Sequence, residues 1–414
     1  MANTFKFGNG NWAVKDGSAL AYNDENNNFK PLPFDFTRAS SATRVNKQGL
    51  IETVPSGKPR IDFTDNTSGH LLLEPSRTNS LLQSNQFDTT WYNSNTSESV
   101  SSGGFGGLNY WTITKTAASG WIRQNLSLSG VQTLSVYAKS GTLNWTRIIA
   151  TGSSTASTWF DLQNGVVGSA DFGTESSNIE SVGDGWYRCS ITVDIGTVNG
   201  VRFYPADGNN DVSGTSGSIL IQAAQLEVGS YATSYIPTEG SSVTRVAEVA
   251  NDAGNSTVIN KNQGVIFAEI AALADDLTFR QITLNDGSLN TILIGYRTNT
   301  NRIYSQLVSN NVSQAFLSYD VTDITEFHKV ALVYENNRVD LWIDGVKRAS
   351  DTSATMPLNL TNMDLRGTSG SGQFYAKTKQ VMTFKTALTD SELETLTSLD
   401  SFNAMATGQL YTIE

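Results

Sequence analysis

Arg338-Val-Asp-Leu-Trp-Ile-Asp-Gly-Val-Lys347 decides how this chain is read. Val339, Leu341 and Ile343 alternate with Asp340, Trp342 and Asp344 before an Asp-Gly pair, the pattern of a hairpin strand whose two faces meet different surroundings. Just upstream, His328 to Tyr334 (HKVALVY) supplies a neighbouring strand. Downstream, Gln380 to Leu396 closes on ALTDSEL, where Thr389 as helix N-cap and Glu392 three residues later compose a capping box. Further back, Gly264 to Ile270 (GVIFAEI) is apolar almost throughout, which suits a strand buried on both faces.

Around this region the chain runs to 414 residues, enough for two or three domains. Charged residues make up only 16%, while Gly, Ser, Thr and Asn separate short β-branched and aromatic runs, so a many-turned all-β protein is expected. A formal net charge of −11 without clustered Lys and Arg argues against nucleic-acid binding. The single cysteine, Cys189, excludes an intrachain disulfide and reads as a buried thiol in the strand Trp186 to Val193. MANTFKFGNG has no basic region followed by an apolar stretch, and no apolar run is long enough to cross a bilayer, so folding in a cytoplasm without membrane insertion is expected.

Four regions follow from the turn spacing. Residues 1–79 hold scattered aromatics (Phe5, Phe7, Trp12, Tyr22, Phe29, Phe34) and then FTRASSATRVNKQGLIETV, PRIDF and LLLEPSRTN, an irregular segment whose aromatic part either pairs as a small hairpin or docks on a partner. Residues 80–245 carry strand-like runs at 111–114, 134–138, 146–150, 187–193, 201–204 and 218–224, the signature of a β-sandwich. Residues 250–400 form a second sandwich around the opening hairpin, and 401–414 form a tail.

The HKVALVY, RVDLWIDGVK and ALTDSEL phrases together resemble the closing half of a laminin-G or concanavalin A-like jelly roll. SVYAKSG, DGWYRCSITV and IQAAQLEVGSYATSYIPTEG resemble a carbohydrate-binding-module-like jelly roll found in phage adhesins, and SSVTRVAEVA resembles its exit strand. FTRASSATRVN through LLLEPSRTN is similar to a segment of tailed-phage structural proteins. These resemblances imply a virion protein assembled in a host cytoplasm and attached through residues 1–79, with other virion proteins and further copies of itself, a trimer foremost, as partners.

The residues themselves offer little for catalysis. A glycosidase needs two carboxylates across a cleft, and the one-strand Glu-x-Asp-x-x-Glu arrangement of concanavalin A-like glycanases is missing; Asp340 and Asp344 share a parity, but Asp344 is a turn former. His70 and His328 lack a nucleophile elbow, and the Gly103–Gly107 stretch lacks the Lys-Ser/Thr of a phosphate loop. No enzyme is therefore expected, with no required cofactor. Asp207, Asn209 and Asp211 lie on one short loop in the manner of hard-cation ligands, and jelly-roll modules often hold structural calcium, so this loop is the candidate metal site against the plainer reading of an Asx-rich turn.

Sugar binding uses aromatic rings as platforms and polar side chains for hydroxyls. Most of Trp111, Trp121, Tyr137, Trp145, Trp159, Trp186, Tyr187 and Tyr204 must be core, but Trp121 and Trp145 follow turns and are the better platforms, with Arg147, Arg202 and Gln222 as polar contacts. Trp342 and Tyr375 are weaker counterparts in the later sandwich, while parity puts Tyr187 inward and Trp186 outward. Arg38 and Arg44, among small residues, suit an extended stretch gripping a neighbouring subunit. The expectation is an all-β protein of tandem β-sandwich (jelly-roll) domains that binds host-surface polysaccharide as a phage fibre or decoration adhesin. Its rivals are a purely structural decoration protein and a polysaccharide depolymerase.

Overall fold

The computed structural model describes residues 5–64 and 66–408 and is almost entirely antiparallel β. Arg338–Ile343 pairs with His328–Glu335 on one side and Val346–Asp351 on the other. Asp344 and Gly345 take φ of 52° and 79°, the left-handed pair that a two-residue hairpin turn demands. These strands edge a ten-stranded sheet that continues through Gln263–Ala272 and Ala376–Phe384. A five-stranded sheet (Val312–Asp320, Arg302–Ser309, Thr291–Tyr296, Arg280–Asn285, Asn362–Asp364) packs against it.

The strand Gln263–Ala272 is buried on both faces, as its apolar run implies. Ile266, Ala268 and Ile270 point into the core between the sheets, whereas Val265 and Phe267 join Ala331, Val333, Trp342 and Leu393 beneath the helix Asp390–Thr397. Thr389 caps that helix with its side chain while Glu392 bonds back to the Thr389 backbone, completing the capping box. Trp342 is therefore covered by this helix and is no sugar platform; Tyr375 is partly buried against the main core.

The N-terminal stretch does not stand apart as an irregular attachment segment. Phe5–Gly8 pairs with Ala376–Phe384 through Phe5↔Thr383 and Phe7↔Val381, and His70–Leu72 pairs farther along the same strand. Phe5, Phe7, Phe34 and Phe36 alternate with polar residues and insert into the main core, where the later sandwich would otherwise have an open edge. The boundary at residue 79 marks instead where the chain leaves this sandwich. Arg77–Asn79 pairs with Val243–Arg245, a two-stranded stem through which the chain departs and returns. The middle sandwich is thus inserted into the other one: adjacent in space, nested in sequence.

The inserted sandwich packs two six-stranded sheets around Ile122, Ile148, Phe160, Phe203, Leu134, Cys189 and Ile221. Cys189 is free and buried, and burial pushes its thiol up, so it stays protonated. Residues 402–408 form a short helix; the remainder of the expected tail, 409–414, lies outside the described residues, as do residues 1–4. Among the described residues no helix is long and apolar enough to cross a membrane.

Candidate functional site

The two sheets of the inserted sandwich have different outer faces. On the sheet containing Gln132–Ser140, Trp186–Val193 and Ser218–Val228, outward side chains are covered by the segment after residue 229 together with Ile51, Phe105 and Leu108 from earlier in the chain. Arg188 donates to the Thr233 carbonyl, Glu227 accepts from Thr233 N–H at 2.8 Å, and Gln225 accepts from Ile236 N–H at 2.7 Å. Trp186 does lie opposite Cys189 in parity, yet it is buried in this cover with Tyr137 and Tyr235. Gln222 is also buried, donating to the Phe105 carbonyl, so it meets no ligand.

The sheet Tyr92–Ser94, Trp121–Ser129, Thr197–Ala206, Trp145–Gly152, Thr155–Asp161 and Val166–Ala170 carries the candidate residues on its other, outward face. Ile122, Ile148, Phe160 and Phe203 point inward, so period-2 alternation turns Trp121, Arg123, Trp145, Arg147, Trp159, Arg202 and Tyr204 outward. Arg147 stands opposite both Trp159 and Tyr204, and Tyr204 falls one step beyond the Ile122↔Phe203 pair, beside Trp121. Trp121, Tyr204, Arg147 and Trp159 therefore form one row across four strands, about 14 Å from end to end at the usual strand spacing. Tyr92, Arg123 and Arg202 form a second row beside it.

Guanidinium and ring alternate along these rows. Arg202 lies 5.0 Å from the Trp121 ring centroid, and Arg147 lies 5.0 Å from Trp159 and 6.0 Å from Tyr204. Trp159 and Tyr204 are only 4% and 7% exposed, so they support Arg147 and offer no free ring face. Trp121 keeps part of its ring open, and Tyr92 is 59% exposed. Trp145, at the end of the sheet, packs over Gly168, where an added Cβ would lie 2.6 Å from its ring. Arg147 is held by Ser157 and by Asp171 at 3.2 Å. Arg123 and Arg202 face each other with no carboxylate within 4 Å of either among the described residues.

The four residues expected to bind carbohydrate, Trp121, Trp145, Arg147 and Arg202, thus share one face. Sequence reasoning missed Arg123 and Tyr92; the parity of Trp121-Ile122-Arg123 carried the signal for Arg123, whereas Tyr92 is placed only by its pairing with Arg123.

Other candidates are spent on the fold. Arg38 is 2% exposed and cannot grip a neighbouring subunit: its Nη1 donates to Glu248 at 2.6 Å and its Nη2 to the Pro55 carbonyl at 2.6 Å. Arg44 pairs with Glu52 at 2.6 Å within its own hairpin and reaches the Ile61 carbonyl of a following strand. The loop of Asp207, Asn209 and Asp211 does not fit a calcium ion. Lys115, its side chain buried, places Nζ 2.5 Å from Asp207 Oδ2, Asn209 accepts from Ser169 N–H, and Asp211 accepts from Ser213 N–H. An ammonium already occupies the place a cation would take.

Asp340 and Asp344, which share a parity in the sequence, are each engaged by basic neighbours. Asp344 accepts from the His328 ring at 2.6 Å and from Lys329 N–H, while Asp340 is held by Arg338 and Lys347. Burial alone would lower the His328 pKa, but the hydrogen bond and charge of Asp344 outweigh it and raise the value. His70 is buried and its pKa falls to about 4, through burial first and then Lys377 and Lys379, against the pull of Asp62.

Residues 267–394 match a laminin G family profile described as the concanavalin A-like lectin/glucanases superfamily. No curated protein matches the chain. Among solved structures, the chain is similar to the CBM40 domain of Ruminococcus gnavus IT-sialidase bound to α2,3-sialyllactose, at 17% identity over 35% of this chain and 86% of that one, TM-score 0.29. Domain 4 of AbnA, a GH43 extracellular arabinanase from Geobacillus stearothermophilus in complex with arabinotriose, gives 13% identity over 37% and 73%, TM-score 0.31. Mouse laminin α1 domains LG4-5 give 11% over 65% and 85%, TM-score 0.22.

Proposed function

We propose that this protein binds glycans non-covalently on the outward face of the inserted sandwich, and that it does so as a host-attachment component of a phage virion. The supporting observation is the uncovered face itself. One sheet of the inserted sandwich is covered by the chain's own segment, while the other presents the partly open Trp121 ring, the exposed Tyr92 ring and outward arginines. Rings that stack on a pyranose beside donors that reach its hydroxyls are what sugar recognition requires. The virion role draws on the resemblance of the FTRASSATRVN and SYATSYIPTEG phrases to phage proteins. Several copies on one particle, in trimers, would multiply a weak single-site affinity.

The test is retention of the purified protein on a panel of bacterial surface polysaccharides, with released reducing ends measured in the same samples. Retention without release is expected, reduced about tenfold by Trp121→Ala, the order of one lost stacking contact. Absence of retention on every polysaccharide would sink the glycan reading, and released reducing ends would replace it with an enzyme.

A further inference from the structure

We infer that Arg123 and Arg202 form a subsite for an acidic sugar, gripping its carboxylate or sulfate while the sugar ring meets Trp121 or Tyr92. The inference rests on the glycan reading above and names the chemical class of the ligand. It starts from register: Arg123 and Arg202 are direct partners on neighbouring antiparallel strands, so their side chains leave the same face side by side. Like charges placed opposite one another are unfavourable in a sheet, and here nothing nearby offsets them. Among the described residues, neither guanidinium has a carboxylate within 4 Å, and the Nε of each is shielded from solvent without an acceptor. Among the described residues, the acceptor that Arg202 reaches is the Tyr204 hydroxyl, at 3.4 Å.

Other arginines of the chain show what the usual solution looks like. Arg44, Arg147, Arg280, Arg302 and Arg338 each have an Asp or Glu within 3.2 Å. Arg188, Arg297 and Arg348, which lack one among the described residues, each stand over an aromatic ring and are not paired in register with a second arginine across the sheet. In a protein of formal net charge −11, carboxylates are not scarce, so two adjacent unpaired arginines on the open face leave a place for an anion from outside. The backbone is shaped to hold Arg123 there. Gly200, two residues before Arg202 on the same strand, lets the guanidinium lie against the strand; an added Cβ would sit 2.7 Å from Arg123 Nε. Burial first, and then the charge of Arg202, hold the Arg123 pKa below its ordinary value, a mutual repulsion that a bound anion would relieve. Arg202 over Trp121 places the charged group beside the open ring, so an acid group and a sugar face would be met together.

The experiment measures affinity of the full chain for two matched pairs: a polygalacturonate oligosaccharide with its carboxyl-reduced counterpart, and dextran sulfate with unmodified dextran. The variants are Arg123→Gln and Arg202→Gln, with Arg302→Gln, in the exposed Arg302–Asp320 pair, as the control; a thermal melt of each establishes folding. The expected result is about tenfold or greater preference for the acidic member of at least one pair, weakening with salt, lost in Arg123→Gln and Arg202→Gln and kept in Arg302→Gln. Which pair shows it distinguishes carboxylate from sulfate. Equal binding of acidic and neutral members overturns the inference while leaving the glycan reading in place, as does a preference that survives in both variants. No binding to these four probes, together with no retention on the polysaccharide panel, overturns both.

Discussion

The same side chain does opposite work in two parts of this molecule. At the seam between the sandwiches, Arg38, Arg60 and Arg245 are buried with Glu74 and Glu248, and every guanidinium has a carboxylate. Arg60 reaches Glu74 at 2.8 Å and Glu248 at 2.9 Å, Arg245 reaches Glu74 at 2.8 Å, and Arg38 reaches Glu248 at 2.6 Å. On the open face, Arg123 and Arg202 have none. An interior charge must be paired because its desolvation is otherwise uncompensated, whereas a charge at the surface can be left for a ligand. The difference separates arginines that hold the fold from arginines that are free to bind. Breaking the seam should therefore have the largest effect: Glu248→Gln, which strips Arg38 and Arg60 of one negative charge with all side chains 0% exposed, should cost about 3–5 kcal/mol in denaturant unfolding. A loss below about 1 kcal/mol would mean that the seam is no tighter than a surface pair.

Acid should probe the same interior. Burial raises the Glu74 pKa, but Arg245 and Arg60 outweigh it and hold the group well below 4.5, so its stabilisation is complete above that value and drains away as the pH falls beneath it. His70 adds to this with the same sign. It is a base whose folded value is about 4 against 6.5 unfolded; the unfolded chain therefore binds the extra proton, and stability rises with pH between those limits. That contribution is on the order of 3 kcal/mol across the window. His70→Gln should flatten the stability-against-pH curve between about pH 4 and 6.5, and an unchanged slope would show that His70 is not held neutral.

Much of this architecture was legible in the chain. The Asp-Gly hairpin, the capping box and the doubly buried strand from Gly264 are local patterns, each fixed by residues two to four apart. Nesting was not legible, because FKF and FDF alternation identifies strands without saying that the first pairs with Ala376–Phe384, some 370 residues away, and the second with Val249–Asn251, beyond the whole inserted sandwich. Arg38 failed for a related reason: its motif reads as polar and extended, and only Glu248, 210 positions on, makes it an interior residue. The open face was partly legible, since parity turns Trp121, Arg147 and Arg202 outward. Which of two outward faces stays uncovered depended on where the segment after residue 229 lies.

The loop at 207–211 is an intermediate case, a carboxylate matched by a cation from its own chain. Lys115→Met should leave Asp207 without its ammonium and lower stability by about 1–2 kcal/mol, less than at the seam because the Asp207 side chain is 20% exposed. In the unaltered protein, chelator or added calcium should leave the melting temperature unchanged. Calcium-dependent melting of the unaltered protein would show that the loop binds metal in spite of Lys115.

The smallest effect should come from the surface pair, and its sign is informative. Removing Arg123 takes away a charge that Arg202 repels and that no carboxylate holds, so Arg123→Gln should change stability by between zero and a gain of about 0.5 kcal/mol without ligand. Arg202→Gln relieves the same repulsion but forfeits the contact with Trp121, worth about 0.5–1 kcal/mol at a partly exposed site, and should come out slightly less stable than Arg123→Gln. Unfolding curves of the two variants beside that of Glu248→Gln would then span the range from a charge the fold requires to one it only tolerates. A loss above about 1 kcal/mol in Arg123→Gln would place that residue with Arg60 as part of the scaffold, and the guanidinium would no longer count as free for a ligand.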